Sequence, residues 1–308
     1  MSILRNKLKA PSELYKYMPV ARSSFFFDRL IRFTQPSALN DPFEMRPHIT
    51  GYGSDAEMFE IANRRWEESV RKEFELFCSN RDKSLKPVDF ETYRERLESS
   101  RLKEVQAALT RAPEYNSKMV EHINQMIEIN VGVLSLCERP DIGLMWSHYG
   151  ESHFGFAVEF DTSASFFNQL TPPAHVTATI EDTEAFTREY GRLRFVDYRA
   201  DRPSVSVTEM SFDILMTKGI DWAYEREWRM LMPPIYANVC AQDNKGMPIH
   251  LFEIPANAIK AVLLGCNSEQ DLIDKAIALK NHAETEHIQI KKAKVDERLF
   301  QINFEELS

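Results

Sequence analysis

Residues 54–130 contain no glycine, while the segments on both sides read as short strands broken by turns. That interruption constrains the fold more than any other feature. Met58, Ile61, Ala62, Trp66, Val70, Phe74 and Phe77 recur at helical spacing and form one apolar stripe. Ser54 is placed to cap this helix, which runs to about residue 78. Pro87 opens a second helical stretch to about residue 109, and Pro113 a third to about residue 130. The remaining faces are charged and mixed in sign, as solvated surface is. Residues 54–130 therefore read as a helical insertion or cap within a single domain spanning residues 1–308.

The core on either side, residues 13–53 and 131–295, is expected to be strand-rich. Residues 14–17, 30–34, 131–137, 155–160, 193–198, 228–232, 250–254, 261–264 and 287–295 read as strands. Residues 25–30 form a short helix or turn, and 268–283 an amphipathic helix. The fold class is α+β: a mixed, mainly antiparallel sheet with a helical insertion.

Charge and cysteine usage narrow the function. Lys and Arg total 38 against 47 Asp and Glu, a net charge of −9, which argues against a wide basic surface for duplex nucleic acid. No stretch approaches the ~20 apolar residues of a membrane span, and no apolar signal core follows the basic first residues. The four cysteines, Cys78, Cys137, Cys240 and Cys266, show no CxxC spacing. A reducing cytoplasm and no cysteine-ligated zinc are expected. Glycine cradles for phosphate and the common hydrolase and metalloprotease motifs are absent.

Three clusters carry chemistry. The densest is Trp222-Ala223-Tyr224-Glu225-Arg226-Glu227-Trp228-Arg229. Read as a strand, it places Glu225, Glu227 and Arg229 on one face and Tyr224, Arg226 and Trp228 on the other. Two acids at that spacing raise each other's pKa unless a cation neutralises them, and Arg229 can do so. The run is then either a salt-bridged structural strand or an active-site strand presenting a carboxylate. Asn40-Asp41-Pro42-Phe43-Glu44 is a turn sequence in its own right, or a loop that projects Glu44 into a site. Met145-Trp146-Ser147-His148-Tyr149 combines a histidine with aromatics that can be core or pocket wall. Several such clusters far apart in sequence are easily explained by one shared pocket.

Together with Tyr15-Lys16-Tyr17, Phe33 to Pro36, Ser135 to Cys137, His153 to Gly155 and Lys218, these segments resemble the bacterial domain-of-unknown-function family 2971. The resemblance covers most of residues 13–265 outside the helical insertion. The order of elements is also similar to the ADP-ribosyltransferase superfamily, which cleaves NAD at its nicotinamide glycosidic bond. That similarity implies NAD as substrate, Glu227 as catalytic glutamate with Glu225 two residues before it, and His148 or Tyr149 against the nicotinamide ribose or ring. Lys16, Tyr17, Asn40, Asp41, Glu44, Trp146, Tyr149 and Arg229 would line the substrate site. The chain departs from the pattern in offering Lys16 where histidine or arginine is usual on the first strand, and in lacking a serine-threonine-serine motif. The implied partners are a small nucleotide and a macromolecular acceptor, without a membrane or a metal, in a toxin or phage-defence setting. Two other readings stand beside this one. One is a metal-dependent phosphodiesterase or nuclease using Asp41, Glu44, His148, Glu225 and Glu227 with magnesium or manganese. The other is a ligand-sensing module whose helical insertion docks a partner.

Overall fold

A computed structural model describes residues 9–51, 55–81, 86–174, 179–207 and 211–307. The chain divides into two compact units: one takes the described residues up to Arg46, Met126–Arg202 and those from Phe212 onward, the other Pro47–Gln125 and Pro203–Ser211.

The first unit is built on an eight-stranded sheet. Its strands, in chain order, are β1 (Glu13–Met18), β4 (Gly132–Cys137), β5 (Phe156–Asp161), β6 (Leu193–Phe195), β10 (Glu227–Met232), β13 (Ile259–Leu264), β14 (Gln289–Val295) and β15 (Ile302–Glu306). They lie side by side in the order β15-β14-β13-β5-β1-β4-β10-β6. Every neighbouring pair is antiparallel except β13 and β14. A parallel pair needs a long crossover, here occupied by the amphipathic helix Gln270–Ile277. A second, three-stranded sheet joins β2 (Leu30–Phe33), β11 (Val239–Gln242) and β12 (Pro248–Glu253). Short parallel pairing also links β7 (Asp197–Arg199) to β9 (Thr217–Gly219). The α+β, mainly antiparallel expectation is met.

The centre of the large sheet holds its core. β4, β5, β10 and β13 are buried along nearly their whole length, and Leu14, Phe156, Val158, Phe160, Met230 and Leu264 have essentially no exposed surface. One break interrupts it. β1 and β4 pair at a single position, Tyr15 opposite Cys137. Farther along, the edge of β4 is taken instead by Thr34, which exchanges both backbone hydrogen bonds with Val133 at 2.8 and 2.9 Å. Ser135 lies between those two pairings, where the strands part and backbone groups need another partner.

The second unit contains α2 (Asp55–Asn80) and the larger part of α3 (Phe90–Asn130), the short helix Phe25–Asp28 in the first unit being α1. Trp66, Val70 and Val105 are buried, and Phe74 packs on Phe90 and Tyr93 with ring centroids 5.4 and 5.3 Å apart. Phe77, expected on the buried stripe, is partly exposed. A single helix runs through residue 113, where a third was expected to begin. A proline inside a helix costs one backbone hydrogen bond and does not by itself end it. The expected cap, Ser54, lies outside the described residues. β3 (His48–Ile49) pairs in parallel with β8 (Ser204–Val205), which brings residues 203–211 into this unit. No helix among the described residues is long and apolar enough to cross a membrane.

Candidate functional site

A cavity of about 240 Å³ opens where β1 and β4 part. Its walls include Lys16 and Tyr17 from β1, Asn40 and Glu44 from the loop after β2, Ser135 and Cys137 from β4, and Tyr149, Lys218, Glu225 and Glu227. All belong to the first unit.

The backbone around Glu225 explains how two acids reach one wall. The expected continuous strand over 222–229 is not what forms. Residues Ile220–Glu225 make a 3-10 helix, Arg226 takes a left-handed conformation at φ 45°, and β10 begins at Glu227. The left-handed kink turns the exposed Arg226 aside, leaving Glu225 and Glu227 buried together. From Glu227 onward the expected alternation holds: Glu227 and Arg229 share a face, and Trp228 donates from its indole to Glu138 at 2.9 Å.

The three carboxylates of this wall share two cations: Lys218, which lines the cavity, and Arg229, which was expected to line the substrate site but is fully buried and does not. Arg229, with no exposed surface, grips Glu227 at two points, Nε to Oε1 at 2.7 Å and Nη2 to Oε2 at 3.0 Å. It also bonds the Leu215 carbonyl at 2.7 Å and the carboxylate of Glu44. The Lys218 ammonium lies 2.6 Å from Glu225, 3.3 Å from Glu227 and 3.5 Å from Glu44. Its ammonium also sits 4.9 Å from the Trp222 ring centroid. The Tyr149 hydroxyl donates to Glu225 at 2.7 Å and accepts from Asn40 at 3.1 Å. Among the described residues one Glu44 oxygen, Oε2, has no hydrogen-bond donor, although the Lys218 ammonium lies 3.5 Å from it. Arginine suits this place because its planar fork meets a carboxylate in two parallel bonds.

Environment separates the acids. Burial works to raise all three, since a carboxylate loses its water. For Glu227 the charges of Arg229 and Lys218 overcome burial and hold it well below the usual carboxylate range. For Glu44 and Glu225 burial prevails, and both are pushed up despite Arg229 and Lys218 respectively. The cations divide likewise. Burial lowers Lys16, whereas Lys218 is raised because Glu227, Glu44 and Glu225 outweigh the same penalty.

The remaining expected residues are placed as follows. Asp41 is buried and accepts the backbone N–H of Phe43 at 2.9 Å, so it serves the turn. Trp146 is fully buried, donates to the Pro140 carbonyl at 2.7 Å and belongs to the sheet core. His148, at the end of helix α4 (Gly143–His148), is exposed and stacks near Tyr224 at 6.4 Å, outside the cavity wall. Its neighbour Tyr149 enters the wall because it caps that helix. Sequence reasoning did not choose Lys218 as a site residue, nor Tyr198, whose hydroxyl accepts the Glu227 backbone N–H at 2.8 Å. A lone lysine beside Gly219 gives no signal that it is buried. Its traces were its proximity to the acid run and its place among the residues that carry the family resemblance.

Residues 145–230 match the model of a family described as a protein of unknown function, DUF2971. The matched segment holds Tyr149, Lys218, Glu225, Glu227 and Arg229, while Lys16, Asn40 and Glu44 precede it. Compared with curated proteins and with solved structures, the chain has no match in either.

Proposed function

We propose that the cavity is the active site of an ADP-ribosyltransferase-like enzyme that opens the glycosidic bond of a nucleotide, with NAD as substrate. The observation that carries this reading is the pair Glu225 and Glu227, two carboxylates of one cavity wall whose pKa values are pushed in opposite directions. Such separation is how a site assigns different tasks to like groups. Glu227 has both oxygens clamped by Arg229, which fits a fixed charge that positions its neighbours. Glu225 is held by two single bonds, from Tyr149 and Lys218, either of which a ribose hydroxyl can replace. The geometry therefore favours Glu225 over Glu227 as the carboxylate that meets the sugar. Positive charge developing on the sugar carbon gains most in such a site, where few waters screen it.

The cavity is below the ~300–1,000 Å³ of pockets for drug-sized ligands, so it suits the nicotinamide–ribose end and leaves the rest of the dinucleotide outside. Cleavage of NAD, whether onto a macromolecular acceptor or onto water, would suit a toxin or phage-defence effector. One observation favours a second reading, a ligand-sensing module. Every carboxylate of the wall already neighbours a buried cation, so the cavity can bind without turnover. A metal-dependent phosphodiesterase has less support. Lys218 fills the space between the carboxylates, and no His, Cys, Asp or Glu cluster among the described residues is arranged for a metal.

The test is nicotinamide release from NAD by the purified protein beside Glu225→Gln. Release by wild type, falling about a hundredfold or more in the variant, supports cleavage. Folded wild type that neither binds nor cleaves NAD refutes it and moves the sensing reading ahead.

A further inference from the structure

Lys16 and Lys218 line one cavity in opposite circumstances. Lys218 has three carboxylates within ion-pair distance. The Lys16 ammonium donates to the Ser135 carbonyl at 3.0 Å, across the gap between β1 and β4. Among the described residues that neutral oxygen is its one hydrogen-bond partner, and it forms no ion pair. The amine therefore keeps unsatisfied bonding capacity on the wall of a polar cavity, where the Tyr149 hydroxyl carries an exchangeable proton and burial raises the proton affinity of Glu225.

We propose that Lys16 is a reactive amine that captures a small aldehyde or ketone, the size of an open-chain sugar, as an imine within the cavity. The nitrogen lone pair forms the C–N bond while the carbonyl π pair moves to oxygen. A proton passes from nitrogen to that oxygen, giving the carbinolamine. The hydroxyl then leaves as water with a proton from Glu225, and the nitrogen lone pair closes the C=N bond. One amine, one carbonyl compound and one proton yield one iminium and one water.

The surroundings favour the neutral amine this step needs. Burial lowers Lys16, and Lys218 lowers it further, against the opposing pull of Glu227, Glu225 and Glu44. β5, on the other side of β1, places uncharged Val158 opposite Lys16 and adds no counter-charge there. The inference goes beyond glycosidic cleavage and stands or falls without it, because capture requires a carbonyl compound and not NAD.

The experiment treats the full chain with glycolaldehyde and cyanoborohydride across a pH series and maps the reduced adducts by peptide mass. Lys294 is the internal reference, exposed and held above the ordinary lysine range by its bond to Glu305. Lys16 is expected to be modified several-fold faster than Lys294, with labelling that sets in at lower pH. A Lys16→Arg protein, which keeps a cation for Ser135, should lose that adduct alone. Labelling of Lys16 no faster than Lys294 overturns the proposal.

Discussion

In the unit built around the eight-stranded sheet, Glu44, Glu225 and Glu227 share Lys218 and Arg229, and no side chain of the five is more than 4 % exposed. On helix α3, Glu114 and Lys118 also pair at 2.7 Å, but those side chains are 71 % and 69 % exposed. The distances alone would rank the two alike. Solvent decides otherwise. An exposed pair exchanges water for a partner at little net gain, whereas a buried charge has no alternative partner once its own is removed. Charge on the helices is therefore a surface property, while charge in the sheet unit fixes where each carboxylate stands.

The largest expected effect breaks the buried side of that comparison. Arg229→Met removes the two-point clamp on Glu227 and the bond to Glu44 while keeping much of the side-chain volume. Losing one partner of a buried ion network costs about 3–5 kcal/mol. Denaturant unfolding of wild type and variant measures it. A loss below about 1 kcal/mol would mean that water reaches the cluster and that the sheet unit is no different from the helices.

The comparison also explains which features were legible in the sequence. The helical stripe of α2 and the apolar runs of β4, β10 and β13 announce themselves through periodicity and hydrophobicity, which are local. Lys16, Tyr17, Asn40, Glu44, Tyr149, Glu225 and Glu227 all line one cavity, but they were read from polar-aromatic clusters and a family resemblance and not from periodicity. The left-handed turn at Arg226 was not legible, because nothing in a Glu-Arg-Glu run requires φ 45°. Tertiary packing imposes it. The parting of β1 from β4 was hidden because it depends on pairing between segments more than a hundred residues apart, and the burial of Lys218 because it depends on how Glu44, Glu225 and Glu227 are brought around it. Trp146 and His148 show the converse, since a conspicuous motif placed one in the core and the other in solvent.

A smaller effect sharpens the contrast through pH. Glu44 and Glu225 have pKa values above the ordinary value of 4.5, so the folded protein takes up their protons before the unfolded chain does. Their contribution to stability grows as pH falls from neutral toward that value. Glu227 lies below 4.5, so its contribution is complete above that pH and is lost as acidification continues. Wild type should thus gain stability on mild acidification before losing it. In Glu225→Gln the early gain should shrink while the later loss remains. Melting temperatures measured from pH 8 to pH 3 provide the check, and an unchanged profile in the variant would remove Glu225 from the set of raised acids.

The smallest effect belongs to the helices. Glu114 precedes Lys118 by four residues, the favourable order for a helical ion pair, and both charges stay in water. Lys118→Ala should lower stability by less than about 0.5 kcal/mol, in part because alanine is the better helix former. In 1 M salt, where screening acts within about 3 Å, the ion-pair loss should disappear and only alanine's propensity advantage should remain. Arg229→Met should keep most of its penalty in the same salt, because ions do not enter a wall with almost no exposed surface. If salt instead erased both differences, the buried cluster would be solvated. The cavity would then be an open cleft, and the separation of Glu225 from Glu227 would lose its physical basis.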